Sequence, residues 1–189
     1  MKIKRHLAER DNLKLNFLKN NGFVLAIIFL GGCMAAHHEP IRTEEHVDLA
    51  RFMGDWYVLA NIPTFVEKGA HNAVESYKMN ADGTIATTFT FNQDSFDGKL
   101  KKHTPKGFVR DKKSNAVWGM QFIWPFKGDY RIVYLDADYS QTIVGREKRD
   151  YVWIMARSPK ISAADYDKLL GIVKDEGYDT AKVQKVPQR

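Results

Sequence analysis

At 189 residues the chain has the length of one domain, and it carries 29 lysines and arginines against 23 aspartates and glutamates. The excess lies mainly in residues 1–32, where six basic side chains stand against two acidic ones, which leaves 23 against 21 in residues 33–189. A body so close to neutral gives no electrostatic basis for binding nucleic acid. The single cysteine, Cys33, excludes an intramolecular disulfide and a cysteine metal cluster.

Residues 1–32 have the pattern of a secretory signal peptide. A basic stretch is followed by the apolar run Phe23–Leu30, which is too short to cross the ~30 Å hydrocarbon core of a bilayer and has the length of a signal-peptide core. Leu30-Gly31-Gly32-Cys33 resembles the lipobox of bacterial lipoproteins, in which the leader is cleaved before an acylated cysteine. We therefore expect Cys33 to be the lipidation site, with a cleaved soluble export and an uncleaved anchor as the alternatives.

The residues after the cysteine bear on the location of the protein. The lipoprotein resemblance implies a lipid-anchored protein of the outer membrane that faces the periplasm, because Met34 rather than an aspartate follows Cys33. Residues 33–49 are short and polar and predict an N-terminal tether. Its His37-His38 pair is expected to be solvated, so no metal site is predicted.

From Gly54 to Arg157 the sequence consists of short alternating or apolar runs separated by turn residues, which is typical of β-strands. We predict eight strands, at Gly54–Ile62, Ala73–Met79, Thr84–Phe91, about His103–Arg110, Ala116–Trp124, Tyr130–Asp136, Gln141–Arg146 and Tyr151–Arg157. No crossover helix interrupts the series, so the strands should be antiparallel neighbours. The predicted fold is all-β, an eight-stranded up-and-down barrel.

One helix is predicted after the strands, at about residues 162–176. Ser162 and Asp165 fit a capping box, and Gly177 stands where a helix C-terminal cap belongs. The apolar residues between them form a single stripe, which predicts a helix packed against the outside of the barrel. The segment Ala181–Val186 could add a short final strand.

Three motifs carry a resemblance to a known family. They are Gly54-Asp55-Trp56-Tyr57 at the first strand, Leu135-Asp136-Ala137-Asp138-Tyr139 between the sixth and seventh, and Arg157 at the end of the eighth. In order and spacing they resemble the motifs of the lipocalins, over about residues 50–187, and most closely those of the bacterial lipocalins that are themselves lipoproteins. The resemblance implies a structural role for Gly54, Trp56, Asp136 and Arg157. We expect Trp56 to plug one end of the barrel, with the Arg157 guanidinium over its indole ring.

The alternation of side chains along the strands, taken with the resemblance, separates the barrel interior from its exterior. It assigns these residues to a ligand cavity: Val58, Ala60, Glu75, Tyr77, Thr87, Phe89, Trp118, Met120, Phe122, Tyr130, Ile132, Tyr134, Tyr151 and Trp153. The set is rich in aromatic residues and methionine. A barrel filled by its own side chains could have the same composition, and the resemblance favours the cavity.

The expected ligand is a hydrophobic molecule such as a long-chain fatty acid or a lysophospholipid, held for lipid storage or transport at the cell envelope. Its charged head should stay near the mouth, with Lys68 and His71 of the long Pro63–Asn72 connection as rim partners. A tetrapyrrole or another small apolar metabolite, and a structural protein with a filled barrel, are the alternative interpretations. A homodimer is left open.

An enzyme of the same fold is a further alternative, but an enzyme is not the expectation. The sequence shows no Ser-His-Asp arrangement at a recognisable spacing and no phosphate-binding glycine loop, and we predict no cofactor. Glu75 is the one carboxylate on an otherwise apolar face. It could be a general acid, a ligand anchor, or a residue at the wet mouth of the barrel.

Overall fold

The structure is a computed structural model that describes residues 39–189, and these residues form one compact unit with its own hydrophobic cores. The predicted signal peptide and the lipidation site Cys33 lie outside the described residues. Within residues 39–189 no helix is both long enough and apolar enough to cross a membrane.

Residues 39–189 form ten strands, two α-helices and one 3-10 turn. The strands are β1 Gly54–Ile62, β2 Ala70–Met79, β3 Ile85–Gln93, β4 Leu100–His103, β5 Lys106–Val109, β6 Val117–Ile123, β7 Phe126–Leu135, β8 Gln141–Gly145, β9 Val152–Ala156 and β10 Gln184–Lys185. The helices are α1 Leu49–Phe52 and α2 Ala163–Asp175, and the 3-10 turn is Thr180–Lys182.

The strands close into the predicted antiparallel barrel. β4 and β5 both pair with β3 and act as two halves of one strand, interrupted at Thr104-Pro105, where proline lacks a backbone N–H for the ladder. Each following strand pairs with the next, and β9 pairs back with β1, which completes a barrel of eight strands. The sequence prediction of fold class is confirmed.

The strand pairing of the described residues slips at four β-bulges, and two of these bulges displace residues that were assigned to the cavity. The pairing of β1 with β9 slips between Val58 and Ala60, and the pairing of β7 with β8 slips between Ile132 and Tyr134. An extra residue in a strand moves every later side chain to the other face. Ala60 and Tyr134, both assigned to the cavity from strict alternation, therefore belong to the outer wall, and that assignment was wrong.

The outer wall carries the C-terminal helix, as predicted. Ser162 caps α2: its Oγ accepts a hydrogen bond from the Asp165 backbone N–H (3.0 Å) and donates one to the Asp165 carboxylate (2.7 Å). Leu169 and Val173 of α2 are buried against an apolar patch of the barrel exterior. That patch includes Ala60, Ile62, Val133, Ile143, Val152 and Ile154.

The C-terminal segment completes the wall between β1 and β2. These two strands pair only at the end of β1 that begins with Gly54, from Gly54–Tyr77 to Tyr57–Val74. Beyond that point β10 pairs with β1 at Ala60 and Asn61, and the Asn72 N–H donates to the Pro187 carbonyl (2.8 Å). The Gln188 amide donates to carbonyls of both strands, and residues 184–188 therefore fill the gap. The predicted final strand is present.

The segment before β1 is folded against the barrel rather than free. Residues 39–48 run down the outer wall from the β8–β9 turn, where the Arg149 guanidinium donates to the Glu39 carbonyl (2.6 Å), to the loop at the other end, where the Val47 N–H donates to the Ser114 carbonyl (2.7 Å). Asp48 then caps α1. The described part of the predicted tether, residues 39–49, thus belongs to the barrel domain, because its apolar residues Ile41 and Val47 are buried.

Candidate ligand-binding site

The four motif residues meet at one end of the barrel, called here the closed end. Trp56 is fully buried and donates its indole N–H to the Phe52 carbonyl (2.9 Å), and the Arg157 guanidinium lies 3.8 Å above the indole ring. Arg157 also donates to the carbonyls of Arg51, Phe52, Met53, Asp55 and Tyr139. Burial lowers the pKa of Arg157, yet these carbonyls satisfy the guanidinium's donors.

Gly54 and Asp136 support the same end. Gly54 has a positive φ of +96°, and a side chain there would meet the Arg157 guanidinium at 3.3 Å. Asp136 holds the β7–β8 loop by accepting from the backbone N–H groups of Ser140 (2.6 Å) and Gln141 (3.0 Å). The loop presents Tyr139, whose carbonyl accepts from Arg157.

Above the closed end lies a polar cluster made of Glu75, Tyr77 and Tyr130. The Tyr77 hydroxyl donates to the Glu75 carboxyl and is 2.6 Å from the Tyr130 hydroxyl. Trp118 stacks on Tyr130 with ring centroids 5.1 Å apart, and Phe52 packs edge-on against Trp118. Aromatic rings therefore seal the cluster off from the closed end.

Burial controls the ionisation of this cluster. Desolvation raises the pKa of Glu75 from its usual 4.5 to about 7, against the lowering effect of the Tyr77 hydrogen bond. Burial also raises the pKa of Tyr77 and of Tyr130 well above 10. Near pH 7 Glu75 is thus about half protonated, and it does not lie at a wet mouth.

A cavity of about 620 Å³ extends from this floor to the opposite end of the barrel, called here the mouth. Its volume is within the ~300–1,000 Å³ range of small-molecule sites. The connections 63–69, 94–99, 124–125 and 146–151 surround the mouth, because alternate turns of an antiparallel barrel share one end. The cavity is open rather than filled by side chains.

The structure brings most of the predicted cavity residues to this space. Those that line it are Glu75, Tyr77, Phe89, Met120, Phe122, Tyr130, Tyr151 and Trp153. Val58, Thr87, Trp118 and Ile132 are buried but do not line it. Val58, Trp118 and Ile132 belong to the core that fills the barrel around the closed end. Phe122 lies at the mouth and is largely exposed.

Several lining residues were not identified from the sequence. Arg146 shares the inward face of Val144, two residues earlier, so extending the alternation by one step beyond β8 would have found it. Glu67 comes from the β1–β2 connection, where no periodicity exists; it accepts from the Trp153 indole (3.1 Å) and the Thr64 N–H (2.8 Å). Burial raises the pKa of Glu67.

The predicted rim partners Lys68 and His71 are not among the lining residues, and that prediction was wrong. His71 belongs to β2 rather than to the connection, and its ring contacts the Gly69 carbonyl (3.0 Å) and packs edge-on against Phe96. The basic side chains along the cavity are instead Lys102, His103 and Arg146. In residues 39–189 no group of three or more acidic, histidine or cysteine side chains could hold a metal ion.

The sequence matches the family described as "Lipocalin-like domain" over residues 47–188, a span that contains the closed end, the cavity and α2. This chain belongs to the lipocalin family. The resemblance drawn from three short motifs is therefore confirmed.

Named relatives of this lipocalin come from plants and bacteria. Temperature-induced lipocalin-1 of Arabidopsis thaliana is 32% identical over 151 residues, covering 75% of this chain and 80% of the relative. Outer membrane lipoprotein Blc of Escherichia coli (strain K12) is 29% identical over 149 residues, covering 78% and 83%. Insecticyanin from the tobacco hornworm Manduca sexta has a TM-score of 0.62 at 13% identity, covering 78% of this chain and 84% of that one, and is similar in fold alone.

Proposed function

We propose that this lipocalin binds one long-chain lipid with an anionic head, such as a fatty acid or a lysophospholipid, and stores or carries it at the cell envelope. The observation that carries the proposal is the open cavity of about 620 Å³, with apolar and aromatic walls and a basic residue near its mouth. Met120, Met155 and the aromatic lining can adapt to a flexible acyl chain.

The charges favour one orientation of such a ligand. Glu75 and Glu67 make the interior unfavourable for a carboxylate or a phosphate, since like charges close together in a desolvated site repel each other. Arg146 lies towards the mouth, where its Nη1 pairs with Asp150 (3.3 Å) and its Nε is buried without a hydrogen-bond partner among the described residues. The acyl chain of the ligand therefore points to the floor of the cavity, and its head group lies beside Arg146.

The first test measures how residues 39–189 bind ligands that differ in head group and in acyl-chain length. Arg146→Gln should weaken binding of a long-chain fatty acid about tenfold, since a charge-assisted hydrogen bond contributes ~1.5–3 kcal/mol. It should leave the fatty alcohol of equal length almost unaffected. Lys148→Gln removes the same charge from the same turn on an exposed side chain that does not line the cavity, and it is the matched control.

Binding is read from the fluorescence of Trp153, which lines the cavity, and of Trp118 beneath it. Each CH₂ removed from the chain should weaken binding by up to ~0.8 kcal/mol. An affinity that does not depend on chain length, or a tetrapyrrole that displaces the fatty acid at far lower concentration, would contradict the proposal.

We also propose that the protein is an outer membrane lipoprotein acylated at Cys33. The lipobox-like Leu30-Gly31-Gly32-Cys33 supports this, as does the similarity to relatives named outer membrane lipoprotein Blc. In bacterial cells the full chain should partition into the detergent phase, and Cys33→Ser should move it to the aqueous phase. Met34→Ser, a change beside the cysteine, is the control; equal partitioning of both variants would contradict acylation.

A further inference from the structure

Large apolar side chains are exposed around the mouth of the barrel, although the rest of the surface is mostly polar. Six of them have exposed fractions between 59% and 82%, and together they are called here the apolar rim: Phe65, Leu100, Phe122, Ile123, Trp124 and Phe126. Four of the six belong to the β6–β7 hairpin, in which Ile123 pairs with Phe126 across a two-residue turn. An exposed apolar patch of this kind marks a surface that contacts a protein or a membrane.

The residue composition of the rim favours a membrane. Tryptophan and phenylalanine at the tip of a hairpin can enter the boundary between lipid head groups and acyl chains, where aromatic side chains are enriched. Lys127 follows directly after Phe126; its ammonium group lies 3.5 Å from the centre of the Phe108 ring, and its long side chain is able to turn towards the head groups instead. The mouth connections carry both signs of charge, including Asp94 and Asp97, so apolar insertion rather than general charge attraction has to supply the binding.

The course of the N-terminal segment points in the same direction. The Glu39 carbonyl is bound by Arg149 of the β8–β9 turn, which places residue 39 at the mouth end of the barrel. Cys33 precedes Glu39 by six residues, a stretch that spans at most ~22 Å when fully extended. An acyl anchor on Cys33 would therefore hold the mouth, and not the closed end, next to the membrane surface.

We infer that the apolar rim inserts into the surface of the membrane that carries the protein, so that the cavity opens directly onto the bilayer. A lipid can then pass between bilayer and cavity without crossing water. The insertion itself follows from the rim and from the path of residues 39–48. The choice of the membrane that carries the protein rests on the proposed acylation of Cys33, and the passage of lipid rests on the proposed ligand.

The test uses residues 39–189, without the anchor, and vesicles of phosphatidylethanolamine and phosphatidylglycerol. The double variant Trp124→Ser/Phe126→Ser should bind these vesicles at least tenfold more weakly than the unmodified chain in co-sedimentation. Met79→Ser removes an exposed apolar side chain at the closed end and should change binding less than twofold. Raising the salt concentration should change binding little. Equal binding by the double variant and the unmodified chain would overturn the inference.

Two further measurements make the outcome specific. Lipids brominated near the head group should quench tryptophan emission on vesicle binding, and Trp124→Phe should remove most of that quenching while it retains binding. Sedimentation without vesicles tests a second copy as the occupant. A dimer that the double variant dissociates, with vesicle binding unchanged, would assign the rim to a protein interface and overturn the inference.

The same double variant separates this inference from the proposed function, because Trp124 and Phe126 do not line the cavity. Fatty acid binding in solution should therefore be unchanged in it. If both proteins bind fatty acid and also bind vesicles equally well, only the inference is contradicted. Vesicle binding by a chain that takes up no fatty acid would remove only the proposed function.

Discussion

The closed end and the mouth are built from the same eight strands, yet their polar and apolar groups are satisfied differently. At the closed end Arg157 donates to five carbonyls and covers the buried Trp56. At the mouth Arg146 makes one ion pair, with Asp150, its Nε has no partner among the described residues, and large aromatic side chains are exposed. The closed end thus carries stability, whereas the mouth keeps groups available for a ligand or a surface.

The largest expected effect is at the closed end. Trp56→Ala should reduce the free energy of unfolding by about 3–5 kcal/mol, because it opens a cavity between Phe52 and Arg157. Arg157→Ala should reduce the free energy of unfolding by a smaller amount. Urea denaturation of the two single variants and the double variant should show coupling. Strictly additive costs would mean that the contact between the guanidinium and the indole contributes nothing.

The next effect concerns Glu75, which lies between the two ends. Its pKa is about 7 in the folded state and near 4.5 in the unfolded chain, so the folded state retains a proton that the unfolded state releases. The stability that the protonated Glu75 carboxyl contributes is fully present below pH 4.5 and is lost as the pH rises through 7. Glu75→Gln removes this loss and should stabilise the protein at pH 8 by on the order of 2–3 kcal/mol, with little effect at pH 4.

Thermal unfolding of both proteins across this pH range measures that difference. Some pH dependence should persist in Glu75→Gln, because burial also raises the pKa of Glu67. Tyr77 can still donate to the new amide oxygen, so loss of the hydrogen bond does not obscure the comparison. An unmodified protein that becomes more stable from pH 5 to pH 7 would contradict the raised pKa of Glu75.

The smallest effect is expected at the mouth. Trp124→Ser removes a large side chain that is 81% exposed, so the free energy of unfolding should change by no more than ~0.5 kcal/mol. Urea denaturation beside Trp56→Ala compares the same residue type at the two ends. A cost above 1 kcal/mol would show that Trp124 packs within the folded chain, and the contrast between the ends would then fail.

The sequence predicts the regular parts of this molecule well, because strands, turns and the capped helix depend on local patterns. β1, from Gly54 to Ile62, and the Ser162 cap were both identified from such patterns. The misplacement of Ala60 and Tyr134 has one cause: a β-bulge is set by pairing with a neighbouring strand and leaves no mark in the alternation.

The site was predicted less completely for a related reason. Glu67 and Phe65 come from an irregular connection, and α1 has only four residues, too few for a helical period. Asp48 before Leu49 was the one available sign of that helix, as an N-terminal cap. The family assignment, in contrast, needed only the motif residues, whose roles at the closed end are set by packing.

The filling of the gap between β1 and β2 by residues 184–188 has a consequence for how the protein is made. Synthesis proceeds from the N-terminus, so β1 to β9 are complete before the piece that finishes their wall exists. Until then the backbone groups of Leu59 and Asn72 lack the partners that Val186 and Pro187 supply. A chain that has not yet made residues 184–188 therefore cannot complete the barrel wall between β1 and β2.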